Sequence, residues 1–217
     1  IFSMLYVLAT FIIVPVLAPL AGRERVSHIQ PTNQATVWLN RNYVVPKMND
    51  LLQDVSQELQ NQNTGVQLHF LDANFPFVDG FPLLPHLSHN DGRKLDLSLI
   101  YETATGEISN EQKSVSGYGV FAGPADGEHN QIRECINAGY LQYDYPKYVT
   151  FGKVNSELVF SEKGTKVLVS EILKNEQLEK LFIEPHLKER LHLSNQKTRF
   201  HGCRAVRHDD HIHIQVR

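Results

Sequence analysis

An α+β fold, with a central antiparallel sheet, flanking helices and an N-terminal hydrophobic helix, is what this sequence predicts, on three observations. Apolar and polar residues alternate over residues 66–70, 94–101 and 211–216, the period of half-buried strands. Apolar residues instead recur at helical spacing over residues 46–59 and 163–174. Residues 1–22 contain no charged side chain and are rich in Ile, Leu, Val, Phe and Ala, which meets the roughly 20 residues a helix needs to cross a bilayer. The 217 residues, 41% of them hydrophobic, allow one domain of ordinary size plus an appendage. A formal net charge of -3 offers no strongly basic surface, so nucleic acid is not an expected partner.

Taken in order, residues 1–22 read as a membrane anchor or a signal. Pro19 lies beside both small-residue sites at which a signal would be cut, Ala18 and Ala21, and favours an uncleaved anchor. Residues 23–62 read as a helical connecting segment, in which Met48, Leu51, Leu52, Val55 and Leu59 form one stripe after Pro46. In the first strand Val66, Leu68 and Phe70 face inward and His69 outward; residues 72–85, punctuated by Pro76, Gly80, Pro82 and Pro85, form an ordered loop. Over 94–101, Leu95, Leu97, Leu99 and Tyr101 share the core face, which turns Asp96 and Ser98 to the other side. Residues 102–108 make a turn between strands.

Residues 114–128, with four glycines and little apolar periodicity, predict a flexible flap over a site. These glycines match no dinucleotide fingerprint and no P-loop lysine follows them, which excludes phosphate binding there. Residues 129–139 read as a helix with Ile132, Cys135 and Ile136 inward, and the tyrosines of 140–148 read as packing. Residues 163–174 form a helix, 178–184 an extended segment stopped by Pro185, and 187–191 a short helix. His186, His192 and His201 have no partner at ligand spacing and read as surface residues. Cys135 and Cys203 allow one disulfide outside the cytoplasm.

The chemistry is concentrated at the C-terminus, in His208-Asp209-Asp210-His211-Ile212-His213. An Asp-Asp turn joining two strands would place His208 opposite His211 and Val206 opposite His213, with the three imidazoles on one face and Ile212, Ile214 and Val216 on the other. Clustered imidazoles suit a metal of zinc type. Upstream, His86-Leu87-Ser88-His89 is followed by Asp96 on its strand, and if that strand lies beside the C-terminal one, Asp96 meets the His213 face. One carboxylate and two imidazoles with an open fourth position is the pattern of catalytic zinc.

His89, six residues, Asp96 and the distant His211-Ile212-His213 resemble the zinc peptidase family that includes penicillin-insensitive murein endopeptidase, D-alanyl-D-alanine carboxypeptidases and dipeptidases, and the hedgehog signalling domain. The paired histidines His86 and His89, Gly92 and the block from His208 to His213 are most similar to the murein endopeptidase, and the resemblance spans residues 63–217. It implies a zinc peptidase domain there, with zinc held by His89, Asp96 and His213, His208 as general base or acid, and His211 bonded to the developing oxyanion. It also implies hydrolysis of peptide bonds in bacterial peptidoglycan, a D,D-endopeptidase activity, by a domain tethered through residues 1–22 outside the cytoplasm. D,D-carboxypeptidase activity, with Arg93 or Arg204 reading a terminal carboxylate, and a non-catalytic zinc-containing binding module of hedgehog type are the alternatives.

Overall fold

The strand Lys94–Ser98 lies antiparallel to the C-terminal strand His211–Val216, with Asp96 opposite His213 and Ser98 opposite His211. This register, in a computed structural model that describes residues 1–84 and 86–217, is what the rest of the fold supports. Pro85, the last proline of the loop expected over 72–85, lies outside the described residues.

The apolar helix Phe2–Ala21 comprises α1 (Phe2–Leu8), a π-helical turn, α2 (Val14–Leu17) and a closing 3₁₀ turn. There follow β1 (Glu24–Arg25), β2 (Gln30–Pro31), α3 (Gln34–Trp38), β3 (Tyr43–Val44) and α4 (Pro46–Asn61). Next come β4 (His69–Asp72), β5 (Lys94–Ser98), β6 (Tyr101–Glu102), β7 (Ile108–Ser109) and α5 (Gln131–Asn137). A 3₁₀ helix (Leu141–Tyr148) leads to β8 (Val159–Phe160), α6 (Glu162–Lys174), β9 (Leu178–Phe182), α7 (Pro185–Arg190), β10 (Thr198–Arg199) and β11 (His211–Val216).

The main sheet has the order β10-β9-β11-β5-β4-β2. Its inner pairs, β9 with β11, β11 with β5 and β5 with β4, are antiparallel as expected, but β10 and β2 join at the edges in parallel. The sheet is therefore mixed and the fold α+β. Alternation along β5 and β11 sends Leu95, Leu97, Ile212 and Ile214 into the core, all fully buried, and Asp96, His211 and His213 to the opposite face.

Two helices cover the core face. Pro46 starts α4, where a missing N–H costs nothing, and Met48, Leu51, Leu52, Val55 and Leu59 are buried as one stripe. Each such side chain contributes about 1.5–3 kcal/mol when removed from water. Ser161 caps α6 by accepting the N–H of Gly164 at 3.1 Å, and Leu168, Val169 and Ile172 enter the same core. Residues 23–62, expected as a connecting segment, thus share one core with the sheet: Ile29, Val44 and the α4 stripe pack in the cluster that holds Leu95 and Ile214.

The expected hairpin at the C-terminus does not form. β11 already has β5 on one side and β9 on the other, so no edge is left for residues 206–208. Asp209 and Asp210 are fully buried instead of forming an exposed turn. Arg207 donates to both Asp209 oxygens, at 2.7 and 2.6 Å, which satisfies that buried charge locally.

The N-terminal helix stands largely outside this packing. Its 20 residues and uncharged, apolar composition suffice for a membrane span or a signal sequence. It touches the domain where Phe11 meets Trp38 edge-on at 4.9 Å and where the Thr10 carbonyl accepts from Arg25 at 2.8 Å.

Candidate metal centre

Three donor atoms converge where β5, β11 and the loop after β4 meet. His89 Nε2 lies 3.1 Å from Asp96 Oδ1 and 3.3 Å from His213 Nδ1, and His213 Nδ1 lies 2.8 Å from the same carboxylate oxygen. All three side chains are buried. The sheet register supplies Asp96 and His213. His89 is supplied by its loop, and its Nδ1 donates to the Ala73 carbonyl at 3.1 Å, an acceptor that leaves Nε2 as the free lone pair.

His86 approaches from the other side of Asp96. With His89 and Asp96 it forms a buried group whose donor atoms all lie within 4.8 Å of one another, and this group could hold a metal ion. Its Nδ1, however, lies 3.1 Å from Asp96 Oδ2 and 3.1 Å from Asp72 Oδ2. Burial opposes protonation of His86, but those two carboxylates outweigh it and lift the imidazole to about 10. His86 thus stands between two carboxylates, both of which favour its protonated form. His213 is the opposite case: burial pushes it down to about 4, which keeps it neutral, and its Nε2 is buried without a hydrogen-bond partner among the described residues.

Burial alone would raise the Asp96 carboxyl, yet His89 and His211 nearby hold it well below the usual range. Tyr118 donates to Asp96 Oδ2 at 2.7 Å, and burial followed by the Asp96 charge keeps its phenol protonated. Arg41 donates to both oxygens of Asp72, which continues the chain of charge outward.

The remaining two predicted site histidines stand next to this cluster. His211 pairs through Nδ1 with Asp210 at 2.5 Å and directs Nε2 to within 3.8 Å of Asp96 Oδ2. Burial opposes its charge, but Asp96 and Asp210 raise its pKa. His208, with its ring 4.7 Å from that of His211, is pushed well below the ordinary value by burial and then by the neighbouring imidazoles. Its backbone is clamped by Glu184, whose carboxylate accepts the His208 N–H at 2.9 Å while the Glu184 N–H donates to the His208 carbonyl at 3.0 Å.

The five residues expected from the sequence, His89, Asp96, His208, His211 and His213, are thus brought to one place, on the wall of a cavity of about 620 Å³. Arg204 lines that cavity as well, whereas Arg93 is exposed outside it. Other expectations change. The glycine-rich segment is no free flap: Tyr118 reaches Asp96, and Gly119 donates its N–H to Asp210 at 2.6 Å. Gly117 and Gly119 have φ of +83° and +78°, and a Cβ on Gly119 would sit 2.3 Å from the Pro146 carbonyl oxygen, so glycine is required on both sides of Tyr118. His186 is fully buried and bonded at 2.8 Å to the Ala122 carbonyl, and His201 packs on Phe182 at 4.4 Å and lines the cavity. His192 and His201 are exposed as expected, and of that trio only His186 is buried.

Tyr118, Asp72, Arg41 and Glu184 escaped the sequence reading. The one available signal was for Tyr118, an aromatic residue set between two glycines. Cys135 and Cys203 form a disulfide that ties α5 to the segment carrying His201 and Arg204. No protein-family model and no curated protein matches the chain.

Proposed function

We propose that this chain is a zinc-dependent peptidase that hydrolyses peptide bonds of bacterial peptidoglycan, most directly a D,D cross-link. The observation that carries the proposal is the mutual spacing of His89 Nε2, Asp96 Oδ1 and His213 Nδ1, 2.8 to 3.3 Å. Ligands about 2.0–2.1 Å from a tetrahedral zinc are roughly 3.3 Å apart, so these three atoms already outline one face of that polyhedron. Bound there, zinc supplies a Lewis acid and lowers the pKa of water from about 15.7 toward ~7.

The protein's own residues divide the rest of the work. His208, neutral and on the cavity wall, takes the proton from the attacking water and passes it to the leaving amine. His211, whose pKa Asp96 and Asp210 raise against burial, donates from Nε2 to the oxygen of the carbonyl under attack. Opposite pKa shifts on adjacent imidazoles are the arrangement such a division needs. The assignment to peptidoglycan rests on the resemblance to the murein endopeptidase family. The apolar helix Phe2–Ala21 and the disulfide are consistent with a membrane-tethered domain outside the cytoplasm.

A D,D-carboxypeptidase is favoured by one observation, the placement of Arg204 in the cavity wall, where a terminal carboxylate would find a cation. Digestion of purified peptidoglycan by zinc-loaded protein, with products identified by mass, separates the readings. Loss of cross-linked dimers is expected, with a 10²- to 10⁴-fold lower rate in a zinc-replete His208→Ala variant. Release of terminal D-alanine alone would make it a carboxypeptidase, and no cleavage would leave a zinc-containing binding module.

A further inference from the structure

A second cavity, of about 250 Å³, opens on the far side of His86 from the metal centre. Its walls are Leu39 after α3, Leu71 of β4, Leu84, and Val149 and Phe151 after the 3₁₀ helix, and it ends on buried His86 and Tyr118. Leu84 and His86 border both this cavity and the larger one that holds the metal centre. We propose that it is a binding site for one aliphatic side chain of the peptide substrate, on the arm that crosses His86.

Three properties fix the class of occupant. At about 250 Å³ the site falls below the roughly 300–1,000 Å³ of pockets that take whole small molecules, and it has room for one side chain. Its polar floor is already paired: Arg41 donates to both Asp72 oxygens and, at 2.5 Å, to the Leu84 carbonyl, and Asp72 also meets His86. An apolar occupant would therefore leave no charge unpaired there, and a polar one would find little free to bond. Finally, Leu39, Leu84 and Phe151 are 59%, 72% and 77% exposed among the described residues, an apolar rim.

Phe151 adds a backbone argument. Its φ is +53°, a conformation that costs a bulky residue free energy. The structure fixes it there through the carbonyls on either side, Thr150 accepting from Ser116 at 3.1 Å and Gly152 from Val115 at 2.9 Å. The stretch of chain that pins it, Val115 and Ser116, runs on to Tyr118 and so to Asp96, which links the rim of the pocket to the metal centre through these hydrogen bonds. A strained backbone that holds an aromatic ring out in solvent beside a pocket is explained by a ligand that the ring contacts.

The spacing suits a peptide. The His86 ring lies 5.4 Å from that of His89 and 6.0 Å from that of His211. An extended chain advances about 3.3 Å per residue, so a residue two positions from a bond held at the metal centre reaches the far side of His86, about 7 Å away. That the occupant belongs to the substrate rests on the peptidase reading.

The test uses the full zinc-loaded chain carrying His208→Ala and blocked peptides Ala-Ala-X and X-Ala-Ala, of both chiralities, in which X lengthens from alanine to norleucine. Calorimetry should show affinity in one series rising about fourfold per methylene. Phe151→Ser and Leu39→Ser, added separately, should flatten that series while leaving zinc content and affinity for the alanine peptide unchanged. A flat series, undetectable binding, or increments that survive both substitutions would overturn the pocket. Hydrolysis of the same peptides by the otherwise native protein is read separately. Length-dependent binding without cleavage removes the peptidase and keeps the pocket; cleavage with a flat series does the reverse.

Discussion

Glu184 holds His208 by its main chain, and this makes the carboxyl's own titration readable in stability. Burial, and then the charge of Asp209, pushes Glu184 up to about 7. Its Oε1 accepts from Tyr143 at 2.5 Å and from the His208 N–H, while Oε2 is buried without a partner among the described residues. In the unfolded chain the carboxyl ionises near ~4.3. Between that value and about 7 the folded state binds more protons, so stability from this group is full below the lower value and is lost as pH rises toward 7. The loss amounts to at most ~4 kcal/mol. Urea unfolding from pH 4.5 to 8 should therefore show a downward slope that Glu184→Gln flattens; an unchanged slope in that variant would place the titration elsewhere. Residues of this kind were not legible in the sequence. Asp96 and His213 were, because strand alternation put each on the side away from the leucines and isoleucines. Glu184, Asp72 and Arg41 follow no period, and only the folded chain brings their charges together.

At the scale of elements, the strand expected over 94–101 stops at Ser98, Tyr101 passing into β6 of another sheet, and the expected hairpin is absent, but the faces of β5 and β11 are as alternation placed them. Alternation set Asp96 and His213 each on the face away from the core, since a shift of one residue would have exposed both apolar faces, while their direct pairing comes from the sheet register. The hairpin failed because local turn chemistry was allowed to decide a question that belongs to the sheet: β11 is an interior strand. Asp209 and Asp210 were chosen for their buried partners, Arg207 and Gly119, and not for their turn preference. The disulfide offers a test of how independent the elements are. It closes a separation of 68 residues and so stabilises the fold by about 4 kcal/mol through the unfolded chain. The segment it ties down carries His201 and Arg204 of the cavity wall, but no ligand of the proposed centre. Replacing Cys135 and Cys203 together by serine should cost ~2–5 kcal/mol in urea. The folded variant should nonetheless keep its metal, and metal loss there would mean that α5 helps to form the centre.

Seen as a whole molecule, one face of the sheet is a leucine and isoleucine core under α4 and α6, and the other is given over to imidazoles and carboxylates. Such a face is costly to bury unless its groups are paired, and here nearly every charge has an opposite partner within hydrogen-bonding distance. Metal replaces part of that pairing in the proposed function: His213 and His89 would turn to it, while His86 would keep its two carboxylates, Asp72 and Asp96. The two three-residue groups that share His89 and Asp96 therefore make opposite forecasts. Zinc content of the folded protein, measured after dialysis for the native chain and for His86→Ala, His213→Ala and Asp96→Ala, with His192→Ala as a surface control, separates them. One zinc per chain is expected in the native protein, His86→Ala and His192→Ala, with sharp loss in His213→Ala and Asp96→Ala. Zinc retained in His213→Ala and lost in His86→Ala, or the same content in all five proteins, would contradict the centre described.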